Sequence, residues 1–102
     1  MKKLNILLTG ASGGLGKHFT LGLANAGHNL ALQFNSNENS IAESIKEIKD
    51  LNSKIKAYKT DITKEEEVAE LVNNVKNDLG SIDVLVNNAG ISINAMSWKL
   101  SA

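Results

Sequence analysis

The stretch TGASGGLG at residues 9–16, the glycine loop, decides the fold because it joins an apolar run to a helical pattern. The apolar run, residues 4–8, has the length of a buried strand. After the glycines, apolar residues recur at near-helical spacing until Gly27, namely Leu15, Phe19, Leu23 and Ala26. A loop in this place can turn its N–H groups toward an anion, with the positive N-terminus of the helix behind them. Several glycines suit that task because they permit positive φ and let a ligand approach the backbone, whereas a turn that binds nothing would need only one.

The spacing of these glycines excludes two common nucleotide-binding loops. A P-loop requires four residues between its first glycine and the ending Gly-Lys-Ser/Thr, but five residues separate Gly10 from Gly16, and His18 stands where the hydroxyl is needed. The pattern G-x-G-x-x-G would require a glycine at Phe19. The pattern that fits is T-G-x-x-x-G-x-G, with Gly14 as its second glycine.

Three further strands are predicted from apolar or alternating runs, at residues 30–34, 54–60 and 82–86. In the run at 54–60, Ile55 and Ala57 share one side, whereas Lys56 and Tyr58 share the other. The turn residues between the runs leave room for one helix after each of the first three strands.

Two further helices are predicted to begin at capping boxes, formed by Ser40 with Glu43 and by Thr63 with Glu66. The apolar face of the second helix consists of Ile41, Ile45, Ile48 and Leu51. The third helix has acidic residues 65–67 in its first turn and Gly80 at its end. Its apolar stripe consists of Val68, Leu71, Val72, Val75 and Leu79.

This alternation predicts an α/β fold, a doubly wound parallel sheet of four strands with three helices in one domain spanning residues 1–102. Strand order 3-2-1-4 with right-handed crossovers places the first two helices on one face and the third on the other. A single helix leaves the second face partly bare, and the fourth strand becomes an apolar edge. We therefore expect the isolated chain to be marginally stable, or to self-associate through this edge.

The composition of the 102-residue chain excludes several classes of protein. Lys plus Arg and Asp plus Glu are both 11, and every basic residue is lysine, so nothing biases the chain toward nucleic acid. Without cysteine, neither a disulfide framework nor a cysteine-ligated zinc site can form. No apolar run approaches the roughly 18 residues of a membrane span. The basic start, Met1-Lys2-Lys3, resembles that of a secretory signal, but Asn5 and then the glycine loop interrupt the apolar stretch that should follow. We therefore expect a cytoplasmic protein without a membrane segment.

Three motifs occur in order along the chain: T-G-x-x-x-G-x-G at residues 9–16, Asp61-Ile62 after the third strand, and Asn87-Asn88-Ala89-Gly90 after the fourth. Together they resemble the short-chain dehydrogenase/reductase family. The resemblance implies a Rossmann-type domain, of which this chain is the N-terminal dinucleotide-binding part, truncated relative to the family. It also implies a nicotinamide dinucleotide as cofactor and hydride transfer to or from a carbonyl or alcohol substrate. Within the family, residues 10–93 resemble 3-oxoacyl-(acyl-carrier-protein) reductases.

The resemblance assigns cofactor-binding roles to three groups of residues. The cofactor diphosphate and the adjoining ribose would contact the glycine loop, through Thr9, Gly10, Ser12, Gly13, Gly14, Leu15 and Gly16. Asp61 would accept a hydrogen bond from the adenine amino group, with the Ile62 backbone beside it. Asn88, Ala89 and Gly90 would lie against the riboses, and Asn87 would mainly brace the sheet. From the residues alone, Asp61 is also explained as a helix-entry residue, because the helix dipole favours carboxylates there.

The end of the second strand indicates which nicotinamide cofactor is used. NAD-binding proteins place an acidic residue there to hold the ribose 2′-OH, but residues 33–37 read QFNSN, with no carboxylate before Glu38. This favours NADP, with Asn35 and Ser36 as neutral donors to its 2′-phosphate. NAD stays open, because no arginine or lysine accompanies them and Gly13 fills a position where many NADP-preferring members carry a base. The alternative for this segment is a solvated polar loop.

Residues for proton transfer are missing from the chain. The family uses a Ser, a Y-x-x-x-K pair and a further Asn, all beyond the fourth strand, and the only tyrosine here, Tyr58, has Ile62 four residues later. We therefore assign no catalytic residue; His18 and His28 are expected on the surface, and no metal cluster can be assembled. Two hypotheses remain: the cofactor-binding half of an NAD(P)-dependent oxidoreductase, or a non-catalytic NAD(P)-binding module. A phosphoacceptor receiver domain is excluded, because it would need acidic residues after the first strand.

Overall fold

Strands and helices alternate along the chain as predicted. The computed structural model describes residues 3–48 and 53–88. The elements are β1 (Asn5–Thr9), α1 (Gly14–Asn25), β2 (Asn29–Phe34), α2 (Glu38–Lys46), β3 (Ile55–Lys59), α3 (Glu65–Leu79) and β4 (Val84–Asn87). Three residues with expected roles, Leu51, Ala89 and Gly90, lie outside the described residues.

The four strands form one parallel sheet in the order β3-β2-β1-β4. Its register pairs Ile6 of β1 with Leu30 of β2 on one side and with Val84 of β4 on the other. The strands β1 and β2 are mostly apolar because side chains on both faces of a central parallel strand are buried. The predicted strand order is therefore confirmed, with β3 and β4 at the two edges.

Two apolar cores, one on each face of the sheet, hold the helices in place. Alternation along β1 sends Ile6 and Leu8 into the first core and Leu7 into the second. The first core includes Ala24 of α1 and Ile41 of α2. The second core contains the predicted stripe of α3, with Val68, Leu71, Val72 and Val75 buried. The expected distribution of the helices between the two faces is confirmed.

The two edges of the sheet differ in chemistry. On β3, Ala57 packs against the first core and Tyr58 against the second, as the alternation predicts, while Lys56 and Lys59 are exposed. On β4, Val84 is 37% exposed. Lysine on an edge strand opposes pairing with another chain, so β3 is protected in a way that β4 is not.

The inner face of α1 differs from the one that the apolar spacing predicts. Leu15 is 60% exposed and Phe19 is 36% exposed. The buried positions are the small residues Gly16, Thr20 and Ala24. They let the helix pack closely, since a Cβ on Gly16 would lie 2.3 Å from the Gly10 carbonyl oxygen. Of the large apolar residues in the predicted pattern, Leu23 packs against the first core, whereas Leu15 and Phe19 are exposed, so the pattern locates the helix but only part of the side that it buries.

Neither predicted capping box caps its helix. The helix α2 begins before Ser40, after Asn37 in a left-handed conformation (φ 64°), and the Ser40 hydroxyl donates to the Ser12 carbonyl oxygen at 2.8 Å. Near α3, the hydroxyl and the N–H of Thr63 donate to Asp61 Oδ1 at 2.6 and 3.0 Å. In both helices the N-cap is a different residue from the one expected, Asn37 for α2 and Lys64 for α3, and the hydroxyl of the expected cap donates to another oxygen.

Gly80 terminates α3 as predicted, with φ 95° and its N–H donating to the Lys76 carbonyl oxygen at 2.8 Å. His18 is exposed as expected, but the expectation for His28 is wrong, because this side chain is buried. His28 Nδ1 accepts a hydrogen bond from the Leu4 N–H at 3.1 Å, which ties the start of β1 to the turn before β2.

Candidate functional site

The expected binding residues meet at one edge of the sheet, where the strands end. In parallel sheets, ligands bind beyond the carboxyl ends of the strands, at the point where the strand order reverses. That point lies beside β1, which has β2 on one side and β4 on the other. The segments that follow the strands contain the glycine loop after β1, Asn35 and Ser36 after β2, Asp61 after β3, and Asn88 after β4.

The first glycine of the loop lies in a turn that is hydrogen-bonded on both sides. Gly10 has φ 65°, a conformation that L side chains rarely adopt. Its N–H donates to Gln33 Oε1 at 2.9 Å, and its carbonyl oxygen accepts from Asn88 Nδ2 at 3.0 Å. The next N–H, that of buried Ala11, donates to the Gln33 carbonyl oxygen at 2.9 Å. The N–H groups of Gly10 and Ala11 are thus bonded within the protein, and the amide of Asn88, directly after β4, braces the loop.

The remaining glycines of the loop have different reasons to be glycine. At Gly16 a Cβ would overlap backbone of the loop itself, so the fold requires glycine there. At Gly14 an added Cβ would have no described atom within 4 Å apart from its chain neighbours and the backbone of its own helix, and φ is not positive. Gly13 is the N-cap of α1, has no side-chain cap, and no acidic residue follows in the first turn. The N-terminus of α1 therefore presents an open surface of positive potential at the strand ends.

The ends of β1 and β4 are joined by side chains. The hydroxyl of Thr9, fully buried, donates to Asn87 Oδ1 at 3.0 Å. Since Asn87 lies on β4 opposite Thr9 in the register, this bond braces the sheet, in agreement with the role expected for Asn87. The Thr9 hydroxyl therefore acts within the protein beneath the loop.

The segment after β2 is exposed, and the helix that follows it, α2, is hydrogen-bonded to the glycine loop. Asn35 and Ser36 are both exposed. The bond from Ser40 in α2 to Ser12 in the loop ties the helix that follows them to the glycine loop. Lys17, the cation nearest to the loop in sequence, pairs with Glu47 at 2.8 Å, and this contact raises the pKa of Lys17.

Asp61 acts as a helix-entry residue in the structure. Its Oδ1 accepts both hydrogen bonds from Thr63, which lower the pKa of Asp61, and Lys64 Nζ lies 4.0 Å from its Oδ2. Its N–H donates to Glu67 Oε1 at 3.0 Å. Ile62 packs its side chain against the second core, which leaves its backbone at the strand end. The carboxylate of Asp61 is thereby held ionised and in a fixed orientation next to β3.

Sequence reasoning missed Gln33. This residue is only 2% exposed, and its side chain bonds Gly10 through Oε1 and the Thr60 carbonyl oxygen through Nε2, the latter at 2.8 Å. Both partners lie far away along the chain, so no local pattern predicts the contacts. The one available signal is an amide within the otherwise apolar core of β2, because a buried amide requires partners.

A second cluster of titratable groups lies between β3 and α3. The Tyr58 hydroxyl donates to Asp78 Oδ2 at 2.6 Å, and Lys56 Nζ lies 3.0 Å from the same oxygen. Burial, followed by this hydrogen bond, raises the pKa of Tyr58, and the same hydrogen bond lowers the pKa of Asp78. Burial and the contact with Asp78 thus both favour the protonated form of the Tyr58 hydroxyl.

Within residues 3–48 and 53–88, no helix combines the length and the apolar character needed to cross a membrane. Nor does this part of the chain group three or more His, Asp or Glu side chains in a way that could hold a metal ion.

Comparison with known proteins identifies relatives by sequence. A family profile described as short chain dehydrogenase matches residues 4–102. A diacetyl reductase, (S)-acetoin forming, of Staphylococcus epidermidis is 45% identical over 85 residues, which are 83% of this chain and 33% of the relative. A 3-oxoacyl-(acyl-carrier-protein) reductase of the same species is 38% identical over 86 residues, which are 84% of this chain and 35% of the relative. The chain thus spans about a third of the length of these relatives.

Solved structures give the same result for the fold. A hydroxysteroid dehydrogenase from Escherichia coli superposes with a TM-score of 0.83 at 25% identity, covering 96% of this chain and 51% of that one. An N-terminal ketoreductase from the macrolactin assembly line superposes with a TM-score of 0.78 at 28% identity, covering 89% of this chain and 19% of that one. Together with the family profile, these likenesses show that the chain belongs to the short-chain dehydrogenase family of oxidoreductases, in which its relatives include 3-oxoacyl-(acyl-carrier-protein) reductases.

Proposed function

We propose that this chain binds a nicotinamide dinucleotide and is the cofactor-binding half of a cytoplasmic NAD(P)-dependent oxidoreductase. In this proposal residues 1–102 form the N-terminal part of a single Rossmann domain. The observation that carries the proposal is the open surface at Gly14, beside an α1 N-terminus without a side-chain cap among the described residues. The fold does not require glycine at this position, but a diphosphate lying against the backbone would.

The hydrogen bonds of the glycine loop indicate which of its N–H groups are available to a ligand. Because the N–H groups of Gly10 and Ala11 are bonded to Gln33, we assign the diphosphate to the later N–H groups, those of residues 12–16. Thr9 and Gly10 are hydrogen-bonded to other parts of the protein and so hold the later residues of the loop in place. These N–H groups and the helix dipole suffice to hold a phosphate, so the absence of arginine does not argue against the site.

The groups at the other strand ends would hold the adenosine. Asp61, ionised and oriented by Thr63, would accept from the adenine amino group, with the Ile62 backbone beside it. Asn88, Ala89 and Gly90 would lie along the riboses. Because the Asn88 amide nitrogen donates to the Gly10 carbonyl oxygen, we expect its contribution to come from its carbonyl oxygen or its backbone.

NADP is the cofactor that we favour over NAD. The support is the exposed, neutral segment at Asn35 and Ser36, where an NAD-binding protein would hold the ribose 2′-OH with a carboxylate. Glu38 in the first turn of α2 is the nearest acid in sequence on that side. The preference is tested by measuring Kd for NADPH and NADH under the same conditions, and tighter binding of NADH contradicts it.

The reaction class proposed for the whole protein is hydride transfer between the cofactor and a carbonyl or alcohol carbon. The names of the relatives support a carbonyl substrate, since they denote reductases of diacetyl and of 3-oxoacyl groups. Within this chain the residues perform the binding step, and Tyr58 is occupied by Asp78. We expect the chain alone to bind cofactor without turnover; the same behaviour in the native full-length protein would favour a non-catalytic binding module.

The proposal is tested by titrating the folded chain with NADPH, followed by nucleotide fluorescence and calorimetry. Substitution Gly14→Ala adds a Cβ where the diphosphate would lie, so we expect a Kd at least about tenfold higher, which corresponds to about 1.4 kcal/mol. Its matched control is Gly22→Ala, an exposed position in the same helix with nothing described within 4 Å, which should bind as the wild type does. The proposal is wrong if a chain with a dispersed NMR spectrum binds neither NADPH nor NADH at millimolar concentration.

A further inference from the structure

Gln33 is the one buried amide whose side chain joins the glycine loop to another strand end within the described residues. We propose that it is a positioning residue of the cofactor site. Its amide sets the distance between the glycine turn and the end of β3, so that the diphosphate-binding and adenine-binding parts are held in register before cofactor arrives. This inference rests on the proposed function and names a residue that controls it.

The geometry gives Gln33 a contact on each side. Its Oε1 accepts from the Gly10 N–H at 2.9 Å, and its own carbonyl oxygen accepts from the Ala11 N–H at 2.9 Å. Its Nε2 donates to the Thr60 carbonyl oxygen at 2.8 Å. Thr60 directly precedes Asp61, the residue assigned to adenine. A single side chain therefore connects the two halves of the proposed site across β2.

The sheet itself does not need this side chain. The strands β2 and β3 are already paired from Leu30 to Phe34, and the Thr60 N–H donates to the Phe34 carbonyl oxygen at 2.9 Å. A buried amide costs free energy unless its groups are bonded, so an apolar residue would satisfy the core more simply. What the amide adds is a partner for the Gly10 N–H, which the backbone ladder does not reach.

The same strand offers a matched control at its other end. Asn29 also joins both neighbours of β2, since its Nδ2 donates to Asn5 Oδ1 at 2.8 Å and its Oδ1 accepts from the Lys54 N–H at 2.9 Å. It therefore makes the same kind of amide bridge, but at the amino ends of the strands, away from the proposed site. Removing it tests loss of stability without loss of positioning.

The experiment compares Gln33→Met with Asn29→Leu, each of which removes the amide while keeping a side chain of similar length. Binding is measured for NADPH and for adenosine 2′-monophosphate, a fragment without the diphosphate. For Gln33→Met we expect Kd for NADPH to rise about tenfold, because the loop loses a buried hydrogen bond, and Kd for the fragment to stay within about twofold. For Asn29→Leu we expect both Kd values to stay within about twofold of wild type.

The Gly10 amide proton gives a readout that needs no ligand. In ¹⁵N-labelled chain, Gln33→Met should move the Gly10 resonance and speed its hydrogen exchange, whereas Asn29→Leu should leave both unchanged. Unchanged Gly10 exchange in Gln33→Met overturns the inference, and so does equal weakening of NADPH by the two variants. If the wild type binds no dinucleotide, the proposed function fails, and the Gly10 exchange still decides whether Gln33 positions the loop.

Discussion

Replacing Gly16 by alanine tests the packing of α1 against the glycine loop. The added Cβ would lie 2.3 Å from the Gly10 carbonyl oxygen and 2.8 Å from the Cα and carbonyl carbon of Ala11. Ordinary separations are about 3.5 Å, so the loop or the helix has to move by about 1 Å. All of these neighbours are backbone atoms, which cannot rotate away as a flexible side chain would.

The cost follows from what this movement breaks. Overpacking costs about 1–3 kcal/mol, and loss of the two hydrogen bonds from Gly10 and Ala11 to Gln33 adds about 0.5–1.5 kcal/mol each. Alanine returns about 1 kcal/mol through its higher helix propensity. We therefore expect the free energy of unfolding to fall by about 3 kcal/mol, and Tm to fall by about 12–24 °C.

Urea and thermal unfolding, followed by circular dichroism, measure both quantities. Gly22→Ala serves again as the control. It changes the same residue type in the same helix, at a position where an added Cβ has no described atom within 4 Å outside its chain neighbours and its own helix. That variant should gain about 1 kcal/mol, so the two substitutions are expected to have opposite signs. A Gly16→Ala variant within about 0.5 kcal/mol of the wild type would refute the close approach of helix and loop.

Two further predictions concern the edges of the sheet. Tyr58 is the only tyrosine, so tyrosinate absorbance reports it alone; its midpoint should lie well above its usual pKa of 10.0, and Asp78→Ala should lower it part of the way, since burial remains. Because the pKa of Tyr58 is higher in the folded chain, its contribution to the free energy of unfolding is fully present below pH 10 and is lost as the pH rises through the folded pKa. A titration midpoint near 10 in a chain with native circular dichroism contradicts the prediction. We also propose that the chain self-associates through β4, so sedimentation should depend on concentration and Val84→Lys should abolish that dependence. The control is Phe19→Lys, at a residue of nearly equal exposure on α1, which should leave the concentration dependence unchanged. Association that survives Val84→Lys excludes this edge.

Much of the fold could be predicted because its determinants are local or periodic. The alternation of Ile6, Leu7 and Leu8 between two faces follows from strand geometry, and Gly80 ends its helix through a conformation that few other residues adopt. The order β3-β2-β1-β4 is the one expected for a sheet that reverses beside a glycine loop, and crossover handedness then fixes the face on which each helix lies.

The errors arose where the deciding contact lies elsewhere in the fold. The exposed Leu15 and the buried Gly16 both suit a helix, and only the closeness of Gly10 decides which side faces inward. The Ser40 hydroxyl was expected to cap its own helix, but Ser40 lies inside α2, and its hydroxyl donates to the carbonyl oxygen of Ser12, 28 positions away. Likewise, the site motifs were visible in the sequence, whereas the contribution of Gln33 depends on distant partners.

The pairing of β1 with β4 has a consequence for synthesis of the chain. Ile6 lies opposite Val84, 78 positions later, and Gly10 receives its bond from Asn88 across the same separation. At about 5–20 residues per second, a ribosome needs roughly 4–16 s to supply that partner. During this interval β1 can pair with β2 alone, and the carbonyl oxygen of Gly10 lacks its amide partner. The glycine turn, although encoded near the start, is therefore completed only after β4 has been made.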